Sequence, residues 1–134
     1  MEININWLGV ILAFIVGMIV AMVWYDKRTI GPAWTKLTGV KKANKAAFVS
    51  LFITNFLTAL VLAIAISICA VYFKNDSIWL ALAVGFMMWL GFSSSTLAQH
   101  NGFELKPARL TVINTSYHLV LFLSMALVIR LVGV

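Results

Sequence analysis

The sequence predicts an all-α, polytopic membrane protein: an antiparallel bundle of four transmembrane helices, with a short interfacial helix in the first cytoplasmic loop. Three observations carry this. Hydrophobic residues make up 63% of the 134 and charged residues only 10%, where a soluble domain carries about a quarter charged. Four apolar runs are each long enough to cross a hydrocarbon core of about 30 Å. The cations gather at the ends of those runs instead of inside them. At a mean hydropathy of +1.01 a soluble fold would lack the polar groups to cover its surface, so the bilayer is the natural solvent. The chain reads as a single membrane domain over residues 1–134.

The segment that orients everything else runs from Trp24 to Lys45. It holds Lys27, Arg28, Lys36, Lys41, Lys42 and Lys45, opposed only by Asp26. A stretch this basic between two apolar runs stays in the cytoplasm. Alternation then puts Lys106 and Arg109 inside as well and leaves only Lys74 and Arg130 outside. The expectation is a multi-pass protein of the cell (inner) membrane with both termini outside the cytoplasm. A Lys or Arg misplaced at a helix centre costs about 2.5–3.5 kcal/mol, which holds the assignment in place. The +6 net charge reads as topology control and contact with anionic head groups. With no basic soluble domain, nucleic acid is not an expected partner. Residues 1–6 carry no Lys or Arg and the positive charge follows the first run. That run is therefore expected to be an uncleaved helix and not a signal peptide.

The first helix spans about residues 7–25, with Trp7 and Trp24-Tyr25 at the two interfacial belts. Gly9, Ala13, Gly17 and Ala21 recur every fourth residue along it. Such a ridge lets another backbone approach closely and serves packing within one chain or between subunits alike. Pro32 and Gly39 then bracket a short helix, proline suiting a first turn and glycine the position past the end. Trp34 and Leu37 would rest on the membrane boundary. The second span, about 46–73, exceeds a perpendicular crossing and is expected to tilt. A short turn at 74–77 makes it an antiparallel neighbour of the third, about 78–103. The fourth span covers about 110–132, with Arg130 snorkelling near its outer end. Cys69 is the sole cysteine, which rules out an intrachain disulfide and reads as a packing residue.

Polar residues cluster at one depth. The second and fourth spans carry theirs early and the third carries its own late, so all lie in the cytoplasmic half. The candidate cavity residues are Asn55, Thr58, Trp89, Ser93, Thr96, His100, Asn114, Tyr117 and His118. Asn114 and His118 share a helix face. Trp89, Ser93, Thr96 and His100 follow a 4-3-4 spacing that makes a stripe on a regular helix. In hydrocarbon such groups face inward or find partners. They therefore form either a polar cavity, with His118 facing the bundle interior, or direct interhelical hydrogen bonds at about 0.6 kcal/mol each.

Known chemistry is sparse. Glu2, Asp26, Asp76 and Glu104 all sit at helix ends. Proton-coupled cation export, which needs an embedded carboxylate, is disfavoured. His100 and His118 differ in depth by roughly 10 Å at 1.5 Å per residue, so no shared metal or haem site is expected, and no cofactor. No phosphate loop or nucleophile motif appears. Three readings stand: a homo-oligomeric bundle binding or passing a small polar ligand, a structural or assembly subunit, and an interfacial enzyme using His100, Asp26 or Glu104.

Gly31-Pro32-Ala33-Trp34 and Lys106-Pro107-Ala108-Arg109 echo one another faintly after the two inward-running helices. Trp24-Tyr25 with Gly31, Trp34 and Gly39, then Trp89-Leu90-Gly91-Phe92, then Pro107 and Tyr117, resemble the small membrane proteins of domain of unknown function 1761. The resemblance covers nearly the whole chain. It implies a four-helix bacterial-type integral membrane protein, and it brings no substrate or catalytic residue with it.

Overall fold

The computed structural model describes residues 2–133, an extended start followed by helices and their connections, with no strand among them. Helix α1 (Trp7–Trp24) begins where the Asn6 side chain accepts from the Gly9 amide at 3.2 Å, satisfying an otherwise orphan donor. The Asn6 amide also donates to the Val132 carbonyl at 3.1 Å, tying the first helix to the end of the last. After α1 the chain turns sharply. The Thr29 hydroxyl donates to the carbonyls of Val23 and Trp24, and the Gly31 amide donates to the Asp26 carbonyl at 3.1 Å.

Helix α2 (Gly31–Thr38) has proline in its first turn and ends at Gly39, whose φ of 73° is left-handed. Only glycine enters that conformation without a side-chain penalty. Helix α3 (Lys45–Phe73) is capped by the Asn44 side chain, which accepts from the Ala47 amide at 2.9 Å. The third span starts as α4 (Ile78–Met88), capped by Ser77, and finishes as α5 (Ser95–Phe103). Helix α6 (Ala108–Val132) follows Pro107. Four helical spans, at Trp7–Trp24, Lys45–Phe73, Ile78–Phe103 and Ala108–Val132, are long and apolar enough to cross a membrane. They imply a lipid bilayer environment.

One feature of the third span differs from the expected regular helix. Between α4 and α5, Trp89–Ser94 form a π-helical turn. Gly91 and the hydroxyl run after it favour the helix weakly, and hydroxyls compete for backbone carbonyls. Here the Ser95 hydroxyl donates to the Gly91 carbonyl at 2.6 Å. The Trp89 indole N–H donates to the Thr115 carbonyl of α6 at 2.8 Å, pinning the turn to its neighbour. The wider turn shifts the phase of everything after it, so the 4-3-4 stripe does not stay on one face.

Helix α6 is the hub. It packs against α1, α3, α4, the π turn, α5 and α2, while α3 also packs against α1 and α4. In its most apolar stretch 33% of residues are buried, against 11% in the third span. The core is built from Val10 and Ala13 of α1, Ala59, Leu62, Ala63 and Ile66 of α3, Ala81 of α4, and Leu121, Met125, Ala126 and Ile129 of α6. Gly9, Ala13, Gly17 and Ala21 are all buried. A methyl placed on Gly17 would collide with the Met125 side chain and lie 3.1 Å from Leu121, so this part of the ridge lies directly against α6. At the end away from the basic loops, Arg130 pairs with Asp76 at 3.0 Å and is itself only 14% exposed. The pair brings the α3–α4 turn onto the last turns of α6.

Candidate functional site: a cavity at the basic end

The small residues that close the bundle stop at about Ala21 on α1 and Ala59 on α3. Toward the end carrying the basic loops the start of α3 is left uncovered by its neighbours. From Ala46 to Thr54 every residue of α3 is exposed except the half-buried Leu51. Between α1, α2, the start of α3 and α6 lies a cavity of about 1200 Å³. Met18, Ala21 and Met22 line it from α1, Trp34 from α2, and Phe48 and Leu51 from α3. Leu97 of α5 also reaches it, and α6 contributes Asn114, Tyr117 and His118. Its rim carries Asp26 with Lys27, Lys36, Lys41 and Lys42.

The aromatic wall is continuous. Tyr25 meets Trp34 edge-on at 5.4 Å between ring centroids and Tyr117 at 5.1 Å, in the T-shaped arrangement that ring quadrupoles favour. The Tyr25 hydroxyl donates to the Asn114 side-chain carbonyl at 2.7 Å, fixing the α1 terminus against α6. Beside this pair the Tyr117 ring lies 4.9 Å from the His118 ring. The Tyr117 hydroxyl and His118 Nδ1 are buried without a hydrogen-bond partner among the described residues. Leaving such a group unpaired costs about 1–3 kcal/mol. Like the Trp24 indole N–H, both atoms are closed to solvent, so they belong to the packed wall behind the cavity and not to its open surface.

The sequence candidates divide on inspection. Asn114, Tyr117 and His118 line the cavity together. Asn55 is buried beside it, its amide donating to the Met18 sulfur at 3.3 Å. The Thr58 hydroxyl donates to the Thr54 carbonyl of its own helix at 2.8 Å, which is one way a polar group is satisfied without a neighbour. Trp89 is engaged by Thr115. Ser93 is half-buried in the π turn, while Thr96 and His100 are exposed on α5 and do not line the cavity. The π turn is the physical reason, having rotated them out of the register a regular helix would give.

Tyr25, Trp34 and the four lysines complete the cavity. On sequence grounds these residues served only as belt markers, anchors and topology signals. Asn101, 4% exposed, donates to the Thr111 hydroxyl at 3.0 Å and braces the α5–α6 turn. Of the residues named for an interfacial enzyme, Asp26 lies on the rim, while His100 and Glu104 lie together at the end of α5 outside the cavity lining, with Glu104 held by Lys106 at 2.9 Å. That hydrogen bond keeps the Glu104 carboxyl below its ordinary value, the opposite of what a general base near neutrality needs. No group of three or more His, Cys, Asp or Glu comes together among the described residues.

Residues 8–130 match the model of the family described as Protein of unknown function (DUF1761). No curated protein and no solved structure matches the chain.

Proposed function

The chain belongs to the DUF1761 family, whose description names no activity, and from its geometry we propose that it is a membrane-embedded binding protein. It takes a small ligand with a polar end into the cavity at the basic end, or passes it on from there. The observation that carries this reading is a cavity of about 1200 Å³ whose mostly apolar and aromatic lining is joined by Asn114, Tyr117 and His118 of α6. A cavity lined by apolar and aromatic side chains with a few convergent polar groups is the usual form of a small-molecule site. Lys27, Arg28, Lys36, Lys41, Lys42 and Lys45 in the first basic loop, with Lys106 and Arg109 in the second, orient this end toward the cytoplasm in an inner membrane. The ligand then enters from the cytoplasm or from the adjoining leaflet. Native mass spectrometry of protein released from its own membrane tests the reading. The wild type should carry a bound small molecule that Leu51→Trp, which pushes a bulkier side chain from α3 into the cavity, has lost. The same mass on both proteins, or on neither, would contradict it.

A specific observation favours self-association as a second feature. The third span is the least buried of the four, and Gly91, Ser95, Thr96, Gln99 and His100 are all exposed along it. Polar groups on a membrane helix gain from a protein partner, and a second copy of the chain supplies one. Disulfide trapping through Ser95→Cys in a Cys69→Ala background should give a covalent dimer. Only monomer under oxidising conditions would count against it.

A further inference from the structure

The chemical class of the ligand follows from the size and charge of the same cavity, and this inference rests on the binding reading above. About 1200 Å³ exceeds the roughly 300–1,000 Å³ of ordinary small-ligand pockets, far more than a free inorganic anion needs. Below the rim the walls are apolar, with Met18, Leu51 and Leu97 beside the few polar groups of α6. Charge enters only at the rim, where Lys27, Lys36, Lys41 and Lys42 face a single acid, Asp26. The two ion pairs found among the described residues, Lys106–Glu104 and Arg130–Asp76, involve none of these lysines. Topology alone accounts for lysines anywhere in this loop, yet Arg28 and Lys45 do not line the cavity while these four do. Met22 and Phe48 line it and are 68% and 58% exposed, so the cavity is open beside the end of α1 and the start of α3, the side from which a lipid would enter.

We propose that the cavity binds an anionic amphiphile, a molecule with a phosphate or carboxylate head on an alkyl chain. The head lies among the four lysines, where an ammonium acts as a point charge toward phosphate. The chain runs inward along Met18 and Leu51. Two sources share this chemistry: an anionic phospholipid entering sideways from the bilayer, and a single-chain amphiphile arriving from water.

Leu51→Cys in a Cys69→Ala background, reconstituted in phosphatidylcholine nanodiscs, reports occupancy through its rate of labelling by a small thiol reagent. Leu97→Cys serves as a second reporter from another helix should the first fold poorly. Dodecyl phosphate should slow labelling at least tenfold, while inorganic phosphate, dodecanol and dodecyltrimethylammonium leave the rate unchanged. Affinity should fall about fourfold per methylene removed from the chain. It should fall about two- to fivefold for each of Lys27→Gln, Lys36→Gln, Lys41→Gln and Lys42→Gln, and by less for Arg28→Gln. Slow labelling in phosphatidylglycerol nanodiscs before any addition would identify the bilayer as the source. Protection by dodecyl phosphate alone would identify a single-chain ligand. Equal protection by dodecanol or the cationic amphiphile would overturn the anionic assignment while leaving a binding cavity. Equal protection by inorganic phosphate would overturn the amphiphile. Labelling unaffected by every probe would overturn both this inference and the binding reading.

Discussion

On α3, Leu62, Ala63 and Ile66 are buried, whereas Phe48, Val49, Phe52 and Ile53, nearer the basic end, are all exposed. The same contrast holds on α1, where Val10 and Ala13 are fully buried while Tyr25 stands in the cavity wall. One end of the bundle is closed and the other open, although both are made from the same four spans. Lipid offers no hydrophobic drive for helix association, so helices stay together where small residues let their backbones approach. Gly9, Ala13, Gly17 and Ala21 on α1, Ala59 and Ala63 on α3, and Ala81 and Gly85 on α4 supply that approach. Toward the basic end bulky aromatics and polar groups replace them, and the start of α3 is left uncovered while hydrogen bonds still hold α1 and α5 to α6. The cavity lies in the open half.

The largest effect that would break this comparison is its orientation. With Cys69 replaced, a cysteine at Asn44 should resist an impermeant thiol reagent in intact cells and one at Asn75 should react. The reverse pattern would turn the open end away from the cytoplasm. Next in size is packing. Gly17→Leu drives a side chain into Met125 and Leu121 and should cost about 1–3 kcal/mol, the usual range for overpacking. Leu121→Ala, at a fully packed site, should cost about 2 kcal/mol. Phe48→Ala, in the open half and 58% exposed, should stay within about 0.5 kcal/mol of wild type, as surface substitutions do. Denaturant titration in mixed micelles measures all three, and equal losses in the two halves would erase the distinction.

A smaller effect sharpens how the open half is held in shape. Tyr25→Phe deletes the hydrogen bond to Asn114 and should lose about 0.6 kcal/mol, the average for interhelical bonds in membranes. Asn114→Ala should add little on top of it, because both changes remove the same contact. Full additivity in the double mutant would show that the bond contributes nothing. Asp76→Asn breaks an ion pair whose acid is 77% exposed and should cost under about 1 kcal/mol, visible only in low salt.

How far the sequence announced this structure follows from what each feature depends on. The spans were legible because long apolar runs between charged segments have one solution in a bilayer. The short helix α2 was equally legible, since Pro32 and Gly39 act locally. The π turn was not. It is pinned by the Trp89 N–H on the Thr115 carbonyl, a contact between residues far apart in the chain. That one turn decides why Thr96 and His100 leave the stripe they share on a regular helix. Asn114 and His118, four apart on the unbroken α6, stay together on the cavity wall. The lysine rim was read only as a topology signal because the folding back of residues 26–42 over the cavity is a tertiary event.

The contrast between a solid half and a hollow one is tested most directly by thiol accessibility from the basic end. Single cysteines at Leu51 and Leu97 on the cavity wall, and at Leu62 and Ala126 in the closed core, are compared in a Cys69→Ala background using a small water-soluble reagent on reconstituted protein. The cavity positions should react at least tenfold faster than the core positions. Equal rates at all four sites, or unreactive cysteines at Leu51 and Leu97 in correctly folded protein, would contradict the existence of an open half.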